Sequence, residues 1–337
     1  MGIYNYREQS RFIMSPYTPG TYNEWGSLNE VMVGIPSPFI EPEYMPEFQW
    51  MSSESQEYAR TLGGQASNEV LPEKIRLLTE QIERYVKILE DRHILVHRNV
   101  PLTHPEEIHF LDDVQKGMVF SGGADFFRVI GRHVILLNNF RYPFRRKQVW
   151  TVRPVLEPLL RGRNVRYVSL PPCSPHYTRD DIYLENGDIM LDGNTVYVGI
   201  SGNATSEAGV EWLRQYLGPE YRVYTIPLSP DILHLDTVLM LNRPGLLTYY
   251  PDFVLELPKP LRHWDKITVT PENGEECHFG ANNISLDEET IVISSEYDRI
   301  RPEYEKRGFE VISIPMGASM EYGSGTRCLT GVLSREP

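Results

Sequence analysis

The sequence predicts a mixed α/β fold, an α/β propeller of five ββαβ units closed into one ring across residues 1–337, with residues 1–22 as an N-terminal extension. Three observations carry this. Five stretches read as a short strand, a turn and a second strand, and the polar residues that open them recur at intervals of 63, 48, 47 and 45 residues. Such a period belongs to repeat architectures rather than to two unrelated domains. Most of these hairpins are followed by an amphipathic helix and one more strand. Finally, the fifth hairpin is split between the two ends of the chain, and pairing the ends removes the exposed sheet edges that an open array would leave.

The hairpins are "ADFFRVIGRHVILLN" (124–138), "GDIMLDGNTVYVGIS" (187–201), "DTVLMLNRPGLLTYY" (236–250), "NNISLDEETIVISS" (282–295), and "CLTGVL" (328–333) paired with "LNEVMVGIP" (28–36). Asp125, Asp188, Asp236, Asn283 and Cys328 open them, each followed by a turn of Gly, Asp, Asn or Pro character. The helix after the split hairpin is the clearest, with Ile75, Leu78, Ile82, Tyr85 and Leu89 at helical spacing. "SEAGVEWLRQYLG" ends on a glycine stop. In "RKQVWTVRPVLEPLLRG", Pro154 and Pro158 are expected to kink or shorten the helix. The unit around "PDFVLELPKPLRHW" is the weakest. If the units are related by rotation, the five openers converge on the axis, where a thiol and several carboxylates share one pocket.

Composition narrows the function. A formal net charge of −13 excludes the basic surface that nucleic acid demands. No apolar run is long enough for a membrane helix, and "MGIYNYREQSRFIM" has neither a signal-peptide pattern nor the Ser or Thr that myristoylation requires at position 6. Cys173, Cys277 and Cys328 are too far apart for a zinc site, and three cysteines make no disulfide framework. A cytoplasmic protein with free thiols, able to form a homodimer, is the expectation.

Cys328 lies in "GSGTRC", among small residues that allow close backbone approach to a ligand. A catalytic cysteine needs a proton shuttle and a group to orient it. His234 in "DILHLDTVL" and Glu185 in "YLENGDIML" supply general acid/base and carboxylate. Asp236 lies two residues beyond His234, so on a strand the two side chains share a face. Each residue has a plain alternative: a structural histidine between leucines, turn chemistry at Glu185, strand-end solvation at Asp125 and Asp236. Their joint occurrence in equivalent registers favours a site. Two carboxylates facing a thiolate call for a cation between them, and a planar guanidinium with five donors suits that place.

On these residues the chain resembles the amidinotransferases of the guanidino-modifying (pentein) superfamily, from "NEWGSLNEVMVG" (23–34) to "GSGTRCLTGVLSR" (323–335). The resemblance rests on "ENGD", "HLD" and "GSGTRC". It implies a five-bladed propeller and a triad of Glu185, His234 and Cys328, with Asp125 and Asp236 as guanidinium ligands and Asn282 beside them. It further implies a small-molecule guanidino donor, an amine acceptor, an amidino-cysteine intermediate and no cofactor or metal. Hydrolysis on the same scaffold and plain guanidine binding are the rival functions. "VGISGNATSEAGVEWLRQYLG" is more similar to antibiotic-pathway amidinotransferases than to arginine deiminases, which implies specialised metabolism. The chain departs from the family's arginine-using pattern where Phe253 stands in the place of a carboxylate-gripping arginine, and Asp231 and Leu233 replace an Asn and a Met before the histidine. That moves the expected carboxylate contact to Arg128, Arg145 or Arg327 and the acceptor away from glycine.

Overall fold

A computed structural model describes residues 15–35, 39–101, 125–174, 178, 180–270 and 279–337. The chain starts its ring with β1 (Leu28–Val33), then passes through a short helix Ser53–Leu62 and a long one, Pro72–Asp91, into β2 (Leu95–Arg98). β3 (Phe127–Ile130) and β4 (His133–Leu136) lead to the helix Val149–Leu160 and β5 (Arg166–Ser169). β6 (Ile189–Asp192), β7 (Thr195–Ile200), the helix Glu207–Leu217 and β8 (Arg222–Pro227) form the next unit. β9 (Leu239–Arg243), β10 (Leu246–Tyr249) and β11 (Asp265–Thr268) follow, then β12 (Ile284–Ser285), β13 (Thr290–Ser294), the helix Arg301–Glu305 and β14 (Glu310–Ile314). β15 (Thr330–Arg335) ends the fold.

Each unit is a three-stranded sheet in which the first two strands are antiparallel and the third joins the middle strand in parallel. The parallel step needs a crossover, which is why a helix follows most hairpins. The fifth sheet has the order β15-β1-β2, with Val31 opposite Val332, so the chain's two ends share one blade as expected. The expected helical stripe is there: Ile75, Leu78, Ile82, Tyr85 and Leu89 are all buried. Burial of each such side chain stabilises the fold by roughly 1.5–3 kcal/mol. The Tyr85 hydroxyl also meets Thr330 Oγ1 on β15 at 2.6 Å, pinning the helix to the closing strand.

Three details refine the sequence expectation. The helix Val149–Leu160 runs through both Pro154 and Pro158 rather than stopping at either. Its buried face of Val152, Val155, Leu156, Leu159 and Leu160 holds it against the sheet despite the lost hydrogen bonds. The weak unit has only a 3₁₀ turn, Lys259–His263, where its neighbours have an α-helix. The expected extension also ends before residue 22, because residues 20–23 stitch three blades together. Gly20 N–H donates to Leu333 O at 2.9 Å, Gly131 N–H to Thr21 O at 2.7 Å and Gly193 N–H to Tyr22 O at 2.8 Å. No helix among the described residues is long and apolar enough to cross a membrane.

Candidate active site

The residues that open the strands do not lie on the strands. His234 is extended and caps a 3₁₀ turn, Leu235–Thr237, that precedes β9. Glu185 does the same for Asn186–Asp188 before β6. The expectation that His234 and Asp236 share a strand face is therefore corrected: the turn, not strand alternation, aims both inward. Turns of this kind leave polar groups to be satisfied, and the openers supply the acceptors. Asp188 accepts from the Leu235 N–H (2.9 Å) and the Thr205 N–H (3.3 Å), which ties the histidine turn to the neighbouring blade. Asp188 is thus a brace between turns. Burial raises its pKa to about 7.

Glycine makes the close packing feasible. A Cβ on Gly187 would stand 2.8 Å from His234 Cγ and Nδ1, so the glycine of "ENGD" is the floor under the imidazole. A Cβ on Gly325 would stand 2.3 Å from Asn282 Oδ1. Both sites belong to the requirement for close approach, not to loop flexibility.

The structure brings Cys328, Asp236 and Asn282 into one hydrogen-bonded group and His234, Glu185, Arg145 and Asp125 into a second, with the charges of His234 and Asp125 acting on Asp236. His234 Nε2 lies 2.8 Å from Glu185 Oε2. Burial alone would lower the histidine's pKa, but the hydrogen bond and charge of Glu185 outweigh it and push it up to about 10. Glu185 is fully buried, which would raise its pKa, yet Arg145 and His234 hold it below the usual carboxylate range. His234 is thus an imidazolium at neutral pH.

The thiol sits against Asp236, with Sγ 3.4 Å from Oδ2 and 3.6 Å from Oδ1. Asn282 Nδ2 donates to the same sulfur at 3.0 Å, and its Oδ1 accepts from the backbone N–H of Arg327 at 3.1 Å. Asn282 therefore fixes both the thiol and the loop that carries it. Neighbouring Asn283, the expected blade opener, turns instead to Asn242 and the Tyr304 hydroxyl. Burial, with the nearby Asp236 and Asp125 carboxylates, pushes the Cys328 thiol well up. Asp236 is raised to about 6, by burial first, with Arg327 and His234 pulling the other way. A cation delivered between sulfur and carboxylates would lower the thiol and favour the thiolate.

Three further sets of expected contact residues have the following surroundings. Asp231 is exposed and its carboxylate accepts from the Ser229 hydroxyl at 3.0 Å, in local turn chemistry. Phe253 is half-buried and packs on Tyr250 with ring centroids 4.9 Å apart, at the margin of an apolar core. The arginines expected to meet a substrate carboxylate all face carboxylates of the chain itself. Arg145 bridges Asp125 (2.5 Å) and Glu185. Arg128 pairs with Glu24, and Arg327 Nε stands 3.7 Å from Glu24 Oε2. Sequence reasoning missed Glu24, the carboxylate shared by those two. It lies in "NEWG", and nothing local marks it as more than a surface acid. Cys277 lies outside the described residues, and Cys173 is half-buried.

No protein-family model matches the chain. The chain is 25% identical to the mitochondrial glycine amidinotransferase of Xenopus tropicalis over 348 residues, covering 92% of this chain and 81% of the relative. It is 22% identical to the L-arginine:L-lysine amidinotransferase of Pseudomonas savastanoi pv. phaseolicola, covering 92% of both. SxtG, an amidinotransferase from Microseira wollei in the saxitoxin biosynthetic pathway, superimposes with a TM-score of 0.82 at 23% identity, over 95% of this chain and 98% of that one. A dimethylarginine dimethylaminohydrolase structure superimposes less closely, with a TM-score of 0.63 at 17% identity over 90% and 99% of the two chains. Across nearly its whole length the chain is similar in sequence to amidinotransferases, and its ring of five blades is the fold it shares with these amidinotransferase and dimethylaminohydrolase structures.

Proposed function

We propose that this enzyme moves an amidino group from L-arginine to the amine of a specialised metabolite, with Cys328 as nucleophile. The observation that carries the reading is the buried thiol held 3.4 Å from the Asp236 carboxylate, on which the charge of His234, hydrogen-bonded to Glu185 at 2.8 Å, also acts. The donor's guanidinium binds to Asp236 and Asp125 and lowers the thiol's pKa by its charge. The Cys328 thiol releases its proton to solvent, and the thiolate Sγ attacks the guanidinium carbon. The bond from that carbon to the donor's alkyl nitrogen then breaks, and His234 gives that nitrogen its proton, so ornithine leaves. The acceptor amine gives a proton to His234 and attacks the amidino-cysteine carbon; the C–S bond breaks and sulfur recovers its electron pair. Kinetics are ping-pong. The chain acts as one catalytic unit in the cytoplasm.

The test uses arginine labelled at the guanidino carbon, with and without a panel of amines, lysine and polyamines included. Label transferred to an amine, with ornithine released only when amine is present, supports the reading. Citrulline or ammonia formed in water alone overturns transfer in favour of hydrolysis.

A further inference from the structure

The guanidinium lodged between Asp125 and Glu185 belongs to the chain. Arg145 extends from the four-residue helix Pro143–Arg146 and places Nη2 2.5 Å from Asp125 Oδ2, with Nη1 on Glu185 Oε2. Its guanidinium carbon lies 4.8 Å from the centre of the Phe140 ring. This is the recognition expected of a guanidino substrate: two carboxylates and an aromatic face. Two further oxygens, Asp125 Oδ1 and Glu185 Oε1, are buried and have no hydrogen-bond partner among the described residues. The acidic pocket therefore holds more acceptors than Arg145 uses.

We propose that Arg145 is an internal occupant of the donor's guanidinium subsite, displaced when a guanidino compound binds. The inference rests on the assignment of Asp125 to the donor. It gives the buried Glu185 carboxylate a charged partner where an isolated charge would be costly. On exchange the donor takes over Asp125, and Glu185 keeps its hydrogen bond to His234. Arg145 and Asp125 are 12% and 14% exposed, so the side chain can withdraw outward without crossing the core. Its helix is held by the segment between β1 and the helix Pro72–Asp91. Trp50 Nε1 donates to the Tyr142 hydroxyl at 2.6 Å, and Phe48 packs on Tyr142 and Phe144. An ammonium makes only a point contact and would displace Arg145 poorly, which makes the occupant a filter for guanidino ligands.

The test measures methylguanidinium binding by calorimetry to Cys328→Ala protein, with and without Arg145→Met. The double variant is expected to bind at least tenfold more tightly, about 1.4 kcal/mol, because the competitor is gone. Arg145→Lys, which keeps the charge but not the fork, is expected to give a gain of at least threefold. Unchanged or weaker binding in folded Arg145→Met, with folding checked by thermal melts, would show that Arg145 only orients Glu185 and would overturn the proposal. If Arg145→Met does not fold, the lysine variant decides: a threefold gain supports displacement and no gain overturns it. Binding is separable from turnover. Tighter methylguanidinium binding without amidinated product from labelled arginine would leave the occupant standing and remove the transferase reading. Product formation with unchanged binding would do the reverse.

Discussion

Two buried charge clusters meet near the axis and differ in sign and in access. On one side, Asp125, Glu185, Asp188 and Asp236 face Arg145 and His234, and the edge formed by Asp125 and Arg145 reaches solvent. On the other, Arg128, Arg327 and Arg335 surround Glu24, and all four are buried. Arg128 Nη1 also donates to Asn186 Oδ1 at 3.3 Å, within the turn that carries Glu185, and Arg335 Nη1 donates to Gly26 O at 2.6 Å. Burial would raise the Glu24 pKa, yet the Arg128 and Arg327 charges bring it below the usual range. Burial, with the neighbouring guanidiniums and against the pull of Glu24, takes Arg335 down to about 10. The comparison teaches a division of labour. The closed cationic cluster binds β3, β15 and the residue 20–26 segment together and lends positive charge to Asp236, while the open acidic cluster exchanges cations.

The largest expected effect is at the thiol between the clusters. Cys328→Ala and Cys328→Ser should abolish turnover while Cys173→Ser retains it, measured as ornithine release; comparable loss from Cys173→Ser would move the nucleophile. Breaking the cationic cluster comes next. Glu24→Gln leaves three buried guanidiniums without their carboxylate and should lower stability by about 3–5 kcal/mol, as for other buried pairs with one partner removed. Chemical denaturation reads this, and an unchanged midpoint would show that the cluster is not a structural tie.

Asp236→Asn probes the acidic side. Donor kcat/KM should fall by more than about 2 kcal/mol, since a buried guanidinium then lacks a charge partner. The same change removes a negative neighbour of Cys328, so thiol alkylation by iodoacetamide at pH 8 should speed up. Slower alkylation together with unchanged kcat/KM would take Asp236 out of the site.

A smaller effect concerns pH. The folded pKa of His234, about 10, lies above its ordinary value of 6.5. Its contribution to stability is therefore complete below about pH 6.5 and lost as pH rises through about 10. Thermal melts should show a steeper decline between pH 7 and 10 in the wild type than in His234→Gln. Parallel declines would mean that the imidazolium–Glu185 pair does not form. The smallest effect is expected at Asp231, which the Ser229 hydroxyl holds in an exposed turn. Asp231→Asn should change the arginine-to-agmatine ratio of kcat/KM by less than about threefold, or roughly 0.7 kcal/mol. A larger shift would return Asp231 to donor recognition.

What the sequence determined by itself is the blade. The apolar, β-branched run in "TVYVGI", glycine turns and the stripe from Ile75 to Leu89 are local patterns that mark strand, turn and helix. The recurrence of the openers at similar intervals is what suggests that Asp125, Asp236 and Cys328 gather at one end of the blades, with His234 and Glu185 beside them. Tertiary structure alone decided the partners. Whether Asp125 meets a substrate or Arg145 depends on a helix 18 residues further on coming to rest beside the axis, at Pro143–Arg146. That Glu24 serves Arg128 and Arg327 depends on a segment crossing between blades. Charge pairing acts through space with no sequence period, so a buried arginine and an exposed one read alike until the chain has closed.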